Sequence, residues 1–470
     1  MRISRGRLVA LIVVVLVVLA GLLSYLVLAP SSSPAPSTRP PGTAACLSTS
    51  GGGSTGANWT TYHGDNARSG VVAAATGITA VRPAWSGPTA LDGAVYAEPL
   101  LCGTVVYAAT EQDTVYAINL TNGAVIWSTH LGAPVPSSSL PCGDISPSGI
   151  TGTPVIDLST GTLYAVAFLA PGQHVMFGLS VRNGTVVSRA EADPLGSVPT
   201  AEQQRGALAL ANGYVYVPYG GLYGDCGDYH GWVEGIPTQE SGNISYQVPT
   251  QREGGVWASG GIAVDANGNL WIATGNGASS TTFDYGDSVI ELSPSLSMVA
   301  YFAPSNWASL NAGDTDLGSL APTVLPSGEI LQVGKQGVGY LLSASAPGGI
   351  GGELYNATVC SGGAYGGTAH SGAVVFVPCT DGLVAVQVTS VGFSILWTAS
   401  GFDSGSPVET GNITWAVDVG SATLLGFDAA TGQTVFTFPL GGAQHFESPA
   451  ATATTLVVGS GTGLLAYSLS

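Results

Sequence analysis

Residues 103–128 read GTVVYAATEQDTVYAINLTNGAVIWS, which is a run of short strands separated by tight turns and ending on a strand that carries a tryptophan. The same order of strands and turns returns from Ile413 as ITWAVDVGSATLLGFDAATGQTVFTF. Looser copies begin at six further positions, which are Gly161, Gly213, Gly268, Gly328, Gly372 and Thr455. One such sheet cannot bury both of its faces, so eight copies predict an all-β, eight-bladed β-propeller of four-stranded antiparallel blades.

The last copy, TLVVGSGTGLLAYSLS from Thr455, stops after its third strand. An incomplete blade would leave an open sheet edge, which folded proteins avoid. The segment AVRPAWSG around Trp85 has the character of a tryptophan-bearing outer strand. We therefore predict that this N-terminal segment completes the eighth blade and closes the ring.

Composition limits the classes of partner. The chain has 470 residues and a formal net charge of −18, and charged residues make up only 9% of it. Such a charge argues against nucleic acid and anionic membrane surfaces as partners, since either would be repelled. A single propeller over residues 57–470 would use nearly all of the chain as one domain.

The N-terminus reads MRISRGR and continues as an apolar run from Leu8 to Ala29. About 20 apolar residues span a bilayer as a helix, whereas the apolar part of a cleaved signal is shorter, roughly 7–15 residues. Arginines before the run favour a cytoplasmic N-terminus and an exported body. We predict a transmembrane helix as membrane anchor or signal-anchor in residues 1–29, a Ser/Pro/Gly-rich linker in residues 30–56 and an extracytoplasmic propeller. A cleaved segment, giving a secreted protein, is the alternative.

Six cysteines in an exported chain predict disulfide bonds. The local pairs favoured by the sequence are Cys102 with Cys142 and Cys360 with Cys379. No cysteine lies in a CxxC or CxxCH arrangement, which argues against a c-type haem or a thiolate zinc site.

The opening NWTTYHGDNARSG from Asn58, the blade pattern and the stretch AINLTNGAVIW together resemble the pyrroloquinoline quinone (PQQ) repeat family. The resemblance extends over about Asn58 to Ser470. It implies the propeller fold. It leaves activity open, since the family holds both quinoprotein dehydrogenases and propellers that bind no cofactor, such as the outer-membrane assembly lipoprotein.

The stretch GGVWASGGIAVDANGNLWIATGNG, residues 254–277, is similar to a dehydrogenase segment that supplies the cofactor floor and a calcium ligand. The resemblance implies that Trp257 lies beneath the quinone and that Asn276 binds calcium. An indole suits stacking on a flat ring system, and an amide oxygen suits a hard cation. The alternative is a blade tryptophan followed by an Asn-Gly turn.

The segment GDTDLGSLAP from Gly313 resembles the family's Asp-x-Asp motif. The resemblance implies that Asp314, with Asp316 nearby, ligates calcium and acts as the base on a substrate hydroxyl. A base must be ionised, and an adjacent cation would favour the ionised form. An aspartate-rich turn between blades is the alternative.

The strand motif VGKQGVGYLL places Lys335, the only lysine in the chain, where the family has a basic residue that contacts the quinone carbonyls. An ammonium that donates to a quinone oxygen stabilises the reduced form. The segment GGLYGDCGDYHGW from Gly220 takes the place of the family's acidic calcium ligand, a role that Asp225 or Asp228 could fill, with a departure in spacing. His230 in that segment is interpreted as a surface or turn histidine.

Two functional hypotheses follow. The first is a PQQ- and calcium-dependent dehydrogenase that oxidises an alcohol or sugar and passes electrons to a separate acceptor. The second is an anchored, non-catalytic scaffold that binds a protein or polysaccharide of the cell envelope. The chain lacks the adjacent cysteine pair of many quinoprotein alcohol dehydrogenases, and its interval from Asp314 to Lys335 is short for the family.

Overall fold

The computed structural model describes Cys46 and residues 58–72, 77–239 and 242–470, all of which lie in one compact unit, Ala44–Ser470. These residues form eight β-sheets of four or five strands each. The main strands of each sheet follow one another along the chain and pair antiparallel, as in a propeller blade, and blades 4, 7 and 8 gain further strands from other parts of the chain. The predicted eight-bladed architecture is confirmed.

The blades are numbered along the chain. Blade 1 contains the strands Leu100–Cys102, Val105–Ala109, Thr114–Asn119 and Val125–His130. Blade 2 contains Val155–Asp157, Thr162–Leu169, Gln173–Ser180 and Val186–Glu191. Blade 3 contains Glu202–Gln203, Ala209–Ala211, Tyr214–Gly221, Trp232–Pro237 and Ile244–Gln247. Blade 4 contains Ala263–Val264, Leu270–Ala273, Val289–Leu292 and Met298–Ala303, with Gly349–Ile350 added in parallel at its edge.

Blade 5 contains Thr323–Val324, Glu329–Val333, Val338–Ser343 and Tyr355–Thr358. Blade 6 contains Ala369–Ser371, Val374–Cys379, Gly382–Thr389 and Gly392–Ser400. Blade 7 contains Val408–Thr410, Ile413–Asp418, Thr423–Asp428 and Thr434–Pro439, with Val71–Val72 added in parallel. Blade 8 contains Ala450–Ala451, Thr455–Gly459 and Gly463–Leu469, with Val81–Pro83 and Thr89–Ala90 outside them. The described helical segments are one α-helix, Trp307–Ala312, and three 3₁₀ turns, Tyr62–Gly64, Ser137–Ser139 and Leu317–Ser319.

The ring closes through the N-terminal segment, as the sequence predicts. Val81–Pro83 pairs antiparallel with Gly463–Leu469, and Val81 lies opposite Leu469. Trp85 is buried, and its indole N–H donates to the carbonyl of Leu120 in blade 1 at 2.9 Å. The segment therefore covers the edge of blade 8 and binds it to blade 1.

Strand position within a blade explains the hydrophobic pattern. Val105–Ala109 is buried at every residue because both of its faces pack against neighbouring blades. The outer strand Val125–His130 is largely exposed. The hydrophobic core therefore lies between the inner strands of adjacent blades. Each valine or leucine that is fully buried there contributes about 1.5–3 kcal/mol to stability.

The structure contains three disulfides, which join Cys46 to Cys102, Cys142 to Cys226 and Cys360 to Cys379. The predicted pair Cys360–Cys379 is confirmed, and the predicted pair Cys102–Cys142 is wrong. Cys102 ends the inner strand of blade 1, whereas Cys142 lies in the link that follows the outer strand. Strands alternate in direction, so these two positions lie at opposite ends of the blade.

Residues 58–72, here called the axial plug, cross the end of the ring where inner strands turn outward. The plug hydrogen-bonds to inner strands of blades 1, 2, 4, 6 and 7 through backbone atoms and to blade 3 through Asn66. Arg68 is buried, and its guanidinium donates to the carbonyls of Leu208 and Ile262 at 2.9 and 3.0 Å. The motif NWTTYHGDNARSG thus fastens the blades to one another.

Among the described residues, no helix has the length and apolar character needed to cross a bilayer. The predicted anchor, residues 1–29, and, apart from Cys46, the predicted linker lie outside the described residues.

Candidate cofactor site on the propeller axis

Links between strands bring the predicted residues to one end of the ring. Trp257 lies between blades 3 and 4, and Asp314 lies between blades 4 and 5. Asn276 and Lys335 lie between the second and third strands of blades 4 and 5. Because neighbouring strands run in opposite directions, both kinds of link emerge at the same end of a blade, opposite the axial plug.

These four residues and Asp225 line a single cavity of about 530 Å³. Its volume lies in the range of small-molecule sites, about 300–1,000 Å³. The structure thus brings together all five residues singled out from the sequence. Asp316, named from the sequence only as a neighbour of Asp314, also lines the cavity. Other side chains of the cavity wall were not singled out from the sequence, and they include Asp144, Gln203, Arg205, Tyr229, Tyr365, His445 and Phe446.

Asp316 is the centre of the polar network. Its Oδ1 accepts the backbone N–H of Asn276 at 2.8 Å. Its Oδ2 accepts the indole N–H of Trp257 at 3.1 Å and lies 3.0 Å from Nζ of Lys335. The side chain is only 5% exposed, so these three partners replace the water that a carboxylate would otherwise bind.

Charge pairing offsets the cost of this burial. Burial raises the pKa of the Asp316 carboxyl, and the nearby Lys335 ammonium opposes that rise. Burial lowers the pKa of Lys335, but attraction to Asp316 and Asp314 outweighs it and the net shift is upward. Lys335 is therefore held as a cation.

Asp314 is the exposed partner of the same lysine. Its Oδ1 lies 2.8 Å from Nζ of Lys335, and its side chain is 61% exposed, against 5% for Asp316. The backbone of Asp314 is left-handed, with φ 48°, a conformation that aspartate tolerates better than most residues. Asp314 thus lines the cavity with an exposed carboxylate, while the buried Asp316 contacts the same lysine.

Three aromatic rings form one wall of the cavity. Tyr365 and Phe446 are stacked, with centroids 5.2 Å apart and planes at 7°. The Trp257 ring lies 6.2 Å from each of them. The guanidinium carbon of Arg205 lies 4.8 Å from the Phe446 centroid and adds a cation to this wall. The cavity therefore offers flat apolar surface beside fixed positive charge, and the floor role of Trp257 remains a prediction.

The other predicted calcium ligands have protein partners. The Asn276 amide donates to Glu253 Oε2 at 3.2 Å, and Glu253 pairs with Arg252. Asp225 Oδ1 accepts the hydroxyl of Tyr229 at 2.5 Å. Asp228, the alternative to Asp225, lines a neighbouring depression and not this cavity.

The donor set does not fit a calcium ion. Calcium takes 6–8 oxygen ligands, several of them carboxylates. Here the carboxylates of Asp314 and Asp316 face an ammonium, and that of Asp225 faces a phenol hydroxyl. Across the described ranges, no group of three or more His, Cys, Asp or Glu side chains could hold a metal. Asn276 contacts Glu253 through its amide nitrogen, and its amide oxygen alone does not make a calcium site. The calcium role predicted for Asn276, Asp314 and Asp225 is therefore not supported by this donor set.

A flat quinone fits better. The cavity combines a partly exposed indole face at Trp257 with an ammonium 5.7 Å from the indole centroid. A flat ring with carbonyl and carboxylate oxygens needs both surfaces.

The eight-bladed ring and the loop-lined cavity on its axis define the class of protein, a β-propeller with a candidate site on its axis. Comparison with known proteins relates this fold to one family of repeats. A PQQ-repeat family model, described as outer membrane protein assembly factor BamB, matches residues 62–224. No curated protein matches the chain.

Solved structures extend the likeness. Quinohemoprotein alcohol dehydrogenase ADHIIG from Pseudomonas putida HK5 has a TM-score of 0.68 at 13% identity, covering 88% of this chain and 80% of that chain. A europium-containing methanol dehydrogenase has a TM-score of 0.68 at 13% identity, covering 87% and 90%. BamB from Moraxella catarrhalis has a TM-score of 0.57 at 14% identity, covering 83% and 98%. These matches confirm the predicted resemblance to PQQ-repeat β-propellers. At such identity the structural likeness shows the fold alone.

Proposed function

We propose that the axial cavity binds a flat quinone of the PQQ type and that the protein is an oxidoreductase acting on an alcohol or sugar. The observation that carries this proposal is the convergence on one cavity of four residues from separate links: Trp257 and Asp314 from links between blades, and Asn276 and Lys335 from links within blades. Residues that served only their own blades would have no reason to converge.

Each side chain has a distinct part in this proposal. Trp257 supplies the flat surface on which the quinone rests, and the hydrogen bond from its indole N–H to Asp316 orients that surface. Lys335 donates to a carbonyl oxygen of the ligand. Bound quinone supplies the chemistry of hydride acceptance. Arg205, stacked on Phe446, adds positive charge for a ligand carboxylate.

Asp314 is better suited than Asp316 to receive a substrate proton. Both oxygens of Asp316 already accept hydrogen bonds from Asn276, Trp257 or Lys335. Asp314 contacts Lys335 through Oδ1, and its side chain lines the cavity and is 61% exposed. A general base needs a free lone pair within reach of the substrate hydroxyl. We therefore assign the base to Asp314 and a positioning role to Asp316.

The remaining parts of the proposal follow from the sequence. No CxxCH motif is present, so electrons would pass to a separate acceptor. The apolar run Leu8 to Ala29 supports a single-pass membrane anchor with the propeller on the extracytoplasmic side.

The test is a titration of the full-length chain, in detergent, with PQQ, followed by dye-linked oxidation of a panel of alcohols and sugars. We expect saturable binding at micromolar quinone and turnover of at least one substrate. Asp314→Asn should abolish turnover and keep binding, whereas Asp428→Asn, at the end of the third strand of blade 7 and outside the cavity, should change neither. Loss of activity in both variants would point to general destabilisation and would count against Asp314 as base.

A non-catalytic scaffold for an envelope protein or polysaccharide is the second candidate. It is supported by the BamB family model and by the coverage of nearly all of the BamB chain. Outer strands also expose neighbouring apolar side chains, such as Val186 with Val187 and Ile395 with Leu396. A chain that takes up no quinone but retains an envelope partner on an affinity column would favour this candidate.

A further inference from the structure

The two central carboxylates of the axial cavity share a cation that belongs to the chain itself. Nζ of Lys335 lies 2.8 Å from Asp314 and 3.0 Å from Asp316. The same ammonium lies 5.7 Å from the centroid of the Trp257 ring. Positive charge thus already occupies the space between the carboxylates and above the indole.

A divalent ion could enter this space only by displacing the lysine. A metal held by Asp314 and Asp316 would sit beside an ammonium that the same two carboxylates bind, and like charges at such distances repel. The surrounding residues hold the lysine in place. The backbone N–H of Lys335 donates to the backbone carbonyl of Asp316 at 2.8 Å. The side-chain carboxylate of Asp316 is in turn held by hydrogen bonds from Trp257 and Asn276.

We propose that the Lys335 ammonium is the built-in cation of this cavity and that the site binds its anionic or carbonyl-bearing ligand without a divalent metal. The identity of the ligand rests on the proposed function, whereas the cation role of Lys335 stands on the geometry alone. The longest bond of the ammonium, 3.2 Å to the carbonyl of Asp314, is the one that a ligand oxygen would replace.

The residue type agrees with this role. A lysine ammonium is a compact point charge that can replace a small cation, whereas the planar guanidinium of arginine is directional and larger. Every other basic residue except histidine in this chain is arginine, ten in all against one lysine. The one lysine of the protein lies between two carboxylates on the propeller axis.

Terbium binding tests the inference without any quinone, because Trp257 would sensitise the emission of a lanthanide bound beside it. Full-length protein is titrated with Tb³⁺ and, in competition, with Ca²⁺. We expect no saturable emission from the wild-type chain. Lys335→Met frees both carboxylates and should bind Ca²⁺ with a dissociation constant of about 10⁻⁴–10⁻³ M, as at weak oxygen-ligand sites, at least tenfold tighter than the wild type.

Controls keep the outcomes distinct. Lys335→Met with Asp316→Asn should lose the emission gained by the single variant, and circular dichroism checks that each variant is folded. Saturable terbium emission from the wild type that Asp316→Asn removes would overturn the inference, even if Lys335→Met failed to fold. A folded Lys335→Met that gains no affinity would also overturn it.

A second arm connects the inference to the proposed function. PQQ affinity of the wild type should be the same, within twofold, in EDTA and in millimolar Ca²⁺. Binding that requires Ca²⁺ would overturn the metal-free site and leave the proposed function standing. Absence of quinone binding under both conditions would overturn the proposed function, and the terbium titration would still decide the role of Lys335.

Discussion

Buried carboxyl groups should make this propeller more stable in acid than at neutral pH. Burial raises the pKa of several acids, to about 8 for Glu98, Asp113, Glu202 and Glu447 and to about 7 for Glu111 and Glu409. A carboxyl whose pKa is raised in the folded state keeps its proton after the unfolded chain has lost it. The stability is therefore fully present below the unfolded pKa and is lost as the pH rises toward the folded value.

Glu447 isolates this effect in one side chain. It is 4% exposed, and burial raises its pKa from 4.5 to about 8, opposed by the backbone N–H groups of Gln444 and Gly459. Each pH unit across that interval costs the folded state about 1.4 kcal/mol, so about 3 kcal/mol is lost between pH 5 and pH 7.5. Glu447→Gln keeps the shape of the neutral acid and removes the titration, so it should match the wild type near pH 4.5 and exceed it at neutral pH.

Urea unfolding at pH 5 and at pH 7.5 measures the difference. The free energy of unfolding of Glu447→Gln should fall less between the two conditions than that of the wild type, by about 3 kcal/mol. Glu191→Gln, at an exposed position of blade 2, is the matched control and should follow the wild type. The reasoning is refuted if the rise in pH destabilises Glu447→Gln as much as the wild type, or if the variant is less stable than the wild type at both pH values.

Three further results are expected. Arg68→Met removes the guanidinium that binds the axial plug to Leu208 and Ile262, and it should lower the free energy of unfolding in urea titrations by about 3–5 kcal/mol. An effect below about 1 kcal/mol would contradict the role of the axial plug in fastening the blades. Replacing Cys142 and Cys226 together by serine opens a loop of 84 residues and should lower the free energy of unfolding by about 2–4 kcal/mol. Reducing agent should lower the stability of the wild type by at least as much, because it also opens the other disulfides. Deleting residues 78–90 uncovers the edge of blade 8 and should produce oligomers on size-exclusion chromatography, whereas a monodisperse monomer would contradict the closure.

The fold could be predicted from sequence because its information is local and repeated. Most blades carry their own strands and turns, and eight imperfect copies of the pattern reinforce one another. The closing strand near Trp85 was predictable for a similar reason, since a missing fourth strand must come from elsewhere in the chain. Disulfide pairing was only half predictable. Sequence distance favoured Cys102 with Cys142, but strand alternation places them at opposite ends of blade 1.

The cavity residues were predictable only where a motif marked them. Trp257 and Lys335 lie in motifs of the family, and the structure places both at the cavity. Asp316 appeared merely as a neighbour of Asp314, because burial cannot be read from an Asp-x-Asp motif. Tyr365 lies in GGAYGG, where an aromatic residue between glycines was the available signal, and Phe446 carries no comparable signal. Their stacking is a contact between distant links and has no local pattern.

The central claim is that a quinone binds against Trp257 with Lys335 as its donor. The most direct measurement compares PQQ dissociation constants of the full-length wild type and Lys335→Ala, followed by quenching of tryptophan fluorescence. Loss of a charge-assisted hydrogen bond costs about 1.5–3 kcal/mol, so we predict micromolar binding by the wild type and affinity weaker by about 10- to 150-fold in the variant. Equal affinity of the two proteins, or a wild type that takes up no quinone, would contradict the account.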